Sequence, residues 1–120
     1  KILIVDDEPD ARRFLSLILR INRYDPIEAP SGQAALVQAA AARPGLILLD
    51  VMMPRMDGYE TCLRLKADPG TADVPVVMVS AKSQPSEIAA GLRAGADAYL
   101  LKPVDVDRLL ELVGRLALGR

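Results

Sequence analysis

The stretch Gly45-Leu46-Ile47-Leu48-Leu49-Asp50-Val51-Met52-Met53-Pro54 is an apolar, strand-like run that delivers a carboxylate at its C-terminal end. The chain opens on a matching run, Lys1-Ile2-Leu3-Ile4-Val5, which ends in the pair Asp6-Asp7. A third short apolar run, Tyr99-Leu100-Leu101-Lys102-Pro103, delivers a cation. Three carboxylates and one lysine, all at strand ends, suit a hard metal ion and a phosphoryl group.

Between these runs lie longer amphipathic segments, the pattern of a parallel sheet flanked by helices. Strands are expected over Lys1–Val5, Tyr24–Glu28, Gly45–Leu49, Val76–Val79 and Ala98–Leu101. Continuous apolar runs, as in the first, third and fourth, mark strands covered on both faces. The second contains Pro26, which cannot donate to a ladder and belongs at a sheet edge. An edge position for strand two fits the order 2-1-3-4-5, a common doubly wound α/β arrangement. Helices are expected over Pro9–Asn22, Gly32–Ala42, Gly58–Ala67, Ser86–Ala94 and Val106–Leu118. Ser31, Asp57 and Asp105 are N-cap candidates, and Gly95 closes the fourth helix.

The 120 residues make one domain with a proper core. No apolar stretch approaches the ~20 residues of a membrane span, and no secretory signal opens the chain. A net charge of −1 and 3% aromatics give neither a basic footprint nor a stacking platform for nucleic acid. The single cysteine, Cys62, excludes an internal disulfide, fits a reducing compartment and reads as a small buried thiol. The chain has no histidine, so histidine metal sites and general bases are excluded within it. Because Lys1 already lies in an apparent strand, a segment of a longer protein is expected.

In an open parallel sheet, ligands bind beyond the carboxyl ends of the strands where strand order reverses. In the order 2-1-3-4-5 that point lies between strands one and three, which carry Asp6-Asp7 and Asp50. Sheet neighbours are ~4.8 Å apart, so the carboxylates converge and repel. Magnesium, with its preference for oxygen ligands, relieves that repulsion; manganese is the alternative. Asp50 is then available as a nucleophile toward phosphorus. Lys102 supplies a positive point charge, and Ser80, at the end of strand four, a hydroxyl.

This set resembles the receiver domains of bacterial two-component response regulators. The matching segments are Ile4-Val5-Asp6-Asp7-Glu8-Pro9, Leu49-Asp50-Val51-Met52-Met53-Pro54, Met56-Asp57-Gly58, Ser80-Ala81, Gly95-Ala96-Asp97-Ala98-Tyr99 and Leu101-Lys102-Pro103. They occur in order and span essentially the whole chain. The resemblance implies a flavodoxin-like, receiver-type fold over residues 1–120. It implies that Asp50 accepts a phosphoryl group from a histidine kinase or histidine phosphotransfer protein. Asp6 or Asp7, with Asp7 nearer the ion, and the Met52 backbone carbonyl would complete the magnesium site with Asp50. Ser80 and Tyr99 match the family's two switch residues, and the Lys102–Pro103 bond is expected cis. Such a module catalyses only its own phosphorylation and slow dephosphorylation, and is not an enzyme in the metabolic sense. Its expected place is the cytoplasm. Its expected partners are the kinase, an output domain or downstream protein and, on phosphorylation, a second copy; direct contact with nucleic acid or membrane is not expected.

Three rivals use similar elements. A pseudo-receiver that binds partners without phosphorylation usually lacks a key residue, and none is missing here. A phosphohydrolase working through an aspartyl-phosphate needs an acid two places after its nucleophile, where Met52 stands. A flavin-binding domain needs a phosphate-cradling loop after strand one, where Asp6-Asp7-Glu8-Pro9 would repel phosphate. Asp57 and Asp105 read as caps. Met52 and Lys82 flank the site and should tune how long the phosphate lasts. Two helices carry more apolar surface than one face requires. In the first, Phe14, Leu17 and Ile21 form a second stripe, and Phe14 is expected to face the donor. In the last, Leu112 and Leu116 are expected to face an output domain or a dimer partner.

Overall fold

A computed structural model describes residues 1–118. In chain order the elements are β1 (Ile2–Val5), α1 (Pro9–Ile21), β2 (Pro26–Ala29), α2 (Gly32–Ala42) and β3 (Leu46–Asp50). They continue with α3 (Gly58–Ala67), β4 (Val76–Ser80), α4 (Pro85–Arg93), β5 (Ala98–Leu101) and α5 (Val106–Leu118). All pairings are parallel and the strand order is β2-β1-β3-β4-β5, as the sequence pattern predicts.

Every residue of β1, β3 and β4 is buried, which explains their unbroken apolar runs. Alternate side chains point to opposite faces, and two cores result. Leu3, Val5, Ile47, Leu49, Val76 and Met78 pack with Ala35 and Ala39 of α2 and Cys62 and Leu65 of α3. Ile2, Ile4, Leu46, Leu48, Val77 and Val79 pack with Leu15 and Leu19 of α1 and with α5. The Cys62 thiol is fully buried, and burial pushes it up to about 11, so it stays protonated.

Most boundaries fall within a residue or two of expectation. The second strand begins at Pro26, not Tyr24, because the α1 terminus extends into a turn. Arg23 adopts φ +70°, and the Tyr24 N–H returns to the Leu19 carbonyl. The Ser31 and Asp57 side chains accept from the N–H groups of Ala34 and Glu60, and Asp105 accepts from Arg108. Gly95 has φ +110°, which only glycine adopts freely. The α4 entrance was not visible as a cap: the Gln84 N–H donates to the Glu87 carboxylate at 3.1 Å.

Leu112 contradicts its expected outward position. It is 1% exposed and lies in the core with Leu109 and Val113, from which it is three residues and one residue away on the same face. Leu116, one further turn along, is half-buried and packs on the same core. The α5 face is thus wider than first drawn, and both leucines belong to it. On α1 the second stripe does face solvent, with Phe14, Leu17 and Ile21 at 51%, 58% and 69% exposure. Leu112→Ala should therefore cost about 2–5 kcal/mol in denaturant unfolding. Leu17→Ala should stay within about 0.5 kcal/mol. Equal effects would contradict this packing.

Candidate functional site

The carboxyl ends of four strands meet at the switch point between β1 and β3. Val5 pairs with Leu49, so Asp6 and Asp50 follow as neighbours at the ends of adjacent strands. One carboxylate oxygen from each of Asp6, Asp7 and Asp50 lies within 4.8 Å of the others. Asp6 and Asp50 are buried, whereas Asp7 is exposed. Lys102, just past β5, places Nζ 3.2 Å from Asp6 Oδ2 and 3.7 Å from Asp50 Oδ1. Its backbone N–H donates to the Ser80 carbonyl, and its bond to Pro103 is cis, as expected.

The two buried acids are held differently. Asp6 accepts the Glu8 N–H on Oδ1 and the Lys102 ammonium on Oδ2. Among the described residues, Asp50 receives a long bond from the Met52 N–H, 3.4 Å, and lies near the more distant ammonium. Burial first, then the charge of Asp6, pushes the Asp50 carboxyl up to about 6, against the opposing pull of Lys102. A carboxyl raised in this way lacks positive charge. The donors present are all hard oxygens, with no histidine or thiolate among them, so they fit a divalent magnesium-type ion.

Asp50 is fixed from behind by Gly58. The Gly58 N–H donates to the Val51 carbonyl at 2.8 Å, and an added Cβ would lie 2.3 Å from the Asp50 carbonyl oxygen. Glycine is thus required where α3 begins, a contact that no local pattern announces. Met52 turns its side chain outward. It shares a shallow cleft with Val51, Met53, Asp57, Tyr59 and Lys82. Lys82 pairs with Glu87 of α4 at 3.3 Å. A larger cleft, lined by Arg43, Pro44, Pro69, Gly70, Asp73 and Val74, contains none of the converging acids.

Ser80 is fully buried, and its Oγ accepts the Lys82 N–H at 3.1 Å. The Tyr99 ring packs inward over Gly91 and Met78; a Cβ at Gly91 would meet Met78 Sδ at 2.7 Å and the ring at 3.0 Å. The Tyr99 hydroxyl is buried without a hydrogen-bond partner among the described residues. Next to it, the Tyr59 hydroxyl donates to the Glu87 carbonyl at 3.1 Å. Burial, then the neighbouring Tyr99, pushes that phenol up to about 12.

Comparison with known proteins bears on the family and the fold. The family model described as "Response regulator receiver domain" matches residues 2–114. The DNA-binding dual master transcriptional regulator RpaA of Synechocystis sp. is 41% identical over 113 residues, covering 94% of this chain and 47% of that protein. The DNA-binding response regulator MtrA of Mycolicibacterium smegmatis is 40% identical, covering 94% and 48%. The chain thus spans less than half the length of these curated relatives. A crystal structure of a putative response regulator from Chloroflexus aurantiacus superposes with a TM-score of 0.93 at 36% identity, covering 99% of this chain and 97% of that one. The signal receiver domain of a signal transduction histidine kinase from Syntrophus aciditrophicus gives 0.91 at 36%, covering 98% and 89%.

The Asp50 environment has a consequence for stability. The folded carboxyl holds its proton to about pH 6 and the unfolded one only to 3.8, so its contribution falls as pH rises between them. In chelator at about pH 7.5, Asp50→Asn should stabilise the protein by about 1–3 kcal/mol, an advantage that shrinks toward pH 4. Parallel stability curves for variant and parent across this range would contradict it.

Proposed function

The chain belongs to the response regulator receiver family, and we propose that it is a phosphoacceptor switch whose acceptor is Asp50. The observation that carries this reading is a buried, poorly compensated Asp50 carboxylate beside Asp6 and within reach of Lys102. The donor is a phosphohistidine of a histidine kinase or a histidine phosphotransfer protein. An Asp50 carboxylate oxygen attacks phosphorus, the donor's N–P bond breaks, and its electron pair returns to the imidazole. Lys102 meets the charge gathering on the phosphoryl oxygens, and Ser80 offers its hydroxyl to the same group. Asp6, Asp7, Asp50 and the Met52 carbonyl would hold magnesium, which when bound neutralises the carboxylates and the phosphoryl oxygens. The module turns over no other substrate.

A groove lined by Ala11, Phe14, Leu15, Lys102, Pro103 and Val104 opens beside Lys102. Its apolar wall supports Phe14 as a donor-facing residue. On the other side, exposed Leu92 of α4 and Leu101 of β5 take the output-facing role that Leu112 cannot fill. An output domain, a separate protein or a second copy reads that surface. Residues 1–120 are the receiver unit, placed in the cytoplasm where a kinase meets it. Among the described residues no helix is long and apolar enough to cross a membrane. In the relatives, DNA binding is part of the protein's name. Here any such contact belongs to an output domain, since the receiver itself has a net charge of −1.

Intact mass after incubation with a small-molecule phosphodonor and magnesium tests the acceptor. One phosphoryl group should be gained by the parent and none by Asp50→Asn or in chelator. Lys102→Met should slow the gain by about 10²-fold. A parent that binds magnesium yet takes no phosphoryl group from this donor or a phosphorylated histidine kinase is a pseudo-receiver.

A further inference from the structure

We infer that Arg12 is a positioning residue for the metal site, fixing the backbone from which Asp7 projects; this rests on the phosphoacceptor reading above. Arg12 lies in the first part of α1, soon after the acid pair. Its Nη1 donates to the Asp6 carbonyl at 2.7 Å. Its Nε donates to Glu28 Oε1, on β2, at 3.1 Å. The side chain is only 16% exposed, so this guanidinium is held in place by its two partners. Both contacts use the fixed fork of arginine, which a lysine point charge does not reproduce.

The Asp6 carbonyl belongs to the peptide that joins Asp6 to Asp7. That unit is planar. Holding its oxygen therefore sets the direction in which the Asp7 backbone, and with it the carboxylate, leaves the strand. Asp6 has ties of its own: its N–H donates to the Ala29 carbonyl, and both its carboxylate oxygens are engaged. Asp7 has none of these. It is exposed, and its carboxylate makes no hydrogen bond or ion pair among the described residues. Its placement within 4.8 Å of the other two acids must come through the backbone. Two side chains grip that backbone: Asp6 Oδ1 takes the Glu8 N–H on one side of Asp7, and Arg12, anchored on β2, holds the Asp6 carbonyl on the other.

A purely structural pin between α1 and β2 would alter stability and leave magnesium affinity alone. A positioning residue would alter affinity. Calorimetric titration of magnesium into the parent, Arg12→Met, Arg12→Lys and Glu28→Gln separates the two, with melting temperatures measured alongside. Arg12→Met should weaken magnesium about tenfold, the loss typical of partners that orient metal ligands. Its phosphorylation rate at saturating magnesium should fall by less. Arg12→Lys keeps the charge without the fork and should also bind weakly, whereas Glu28→Gln keeps an acceptor for Nε and should stay close to the parent. Parent-like affinity in a folded Arg12→Met overturns the inference. Should that variant not fold, parent-like affinity in Arg12→Lys overturns it. A parent that takes up no magnesium removes the phosphoacceptor reading itself, and the inference with it.

Discussion

The structure depends on keeping carboxylates together at the ends of two adjacent buried strands. The β1–β3 register places Asp6 beside Asp50, and strands covered on both faces leave neither acid room to withdraw. Two unit charges 4 Å apart interact by about 4 kcal/mol at an effective dielectric constant near 20. One lysine, 3.2 Å from one acid and 3.7 Å from the other, offsets only part of that repulsion. The fold therefore presents a site that is short of positive charge, and Asp50, the less well tied of the two, bears most of the deficit. Stability and reactivity pull in opposite directions here. The hydrophobic sandwich around the sheet supplies the stability that allows an unfavourable cluster to persist.

The means of holding that cluster are spread through the chain. Gly58 seats α3 against the Asp50–Val51 backbone. The Lys102 N–H ties the end of β5 to the end of β4. Each is a backbone contact that joins the ends of two elements of the fold. The acids, the lysine and the serine were legible because strand ends can be read from apolar runs, and chemistry in this topology gathers at strand ends. The Gly58 approach, the Arg12 grip and the Glu87 contacts were not. Nothing beside Arg12 or Glu87 signals a partner 16 or 28 residues away, and nothing beside Gly58 signals its close approach to Asp50 and Val51.

Leu112 shows a different limit. The apolar positions of α5 were recognised, yet the phase of the helix was drawn too narrowly. Leu109, Leu112, Val113 and Leu116 follow a three-and-four spacing and form a single face on the sheet, fully buried at the first three and half-buried at Leu116. On α1 the same kind of pattern leaves a real outward stripe, because Leu15 and Leu19 already fill the space against the sheet. Apolar count alone does not distinguish these helices. What distinguishes them is phase: the α5 leucines share one buried face, whereas Phe14, Leu17 and Ile21 lie outside the face that carries Leu15 and Leu19.

The Tyr99 region carries the argument from the site to the surface. Its ring takes up the space that a side chain at Gly91 would fill, and its hydroxyl is buried with no hydrogen-bond partner among the described residues. An unpaired buried hydroxyl costs about 1–3 kcal/mol. Burying an aromatic ring recovers a similar amount. The inward position thus sets two opposed terms against each other at one side chain. Ser80, at the end of β4, accepts the Lys82 N–H, and Lys82 reaches Glu87, whose carbonyl in turn holds Tyr59 beside Tyr99. A new charge at Asp50 would compete for Lys82 and for the Ser80 hydroxyl. The chain of contacts from the end of β4 to Tyr99 is short, and it runs through α4 to β5 without passing through the core.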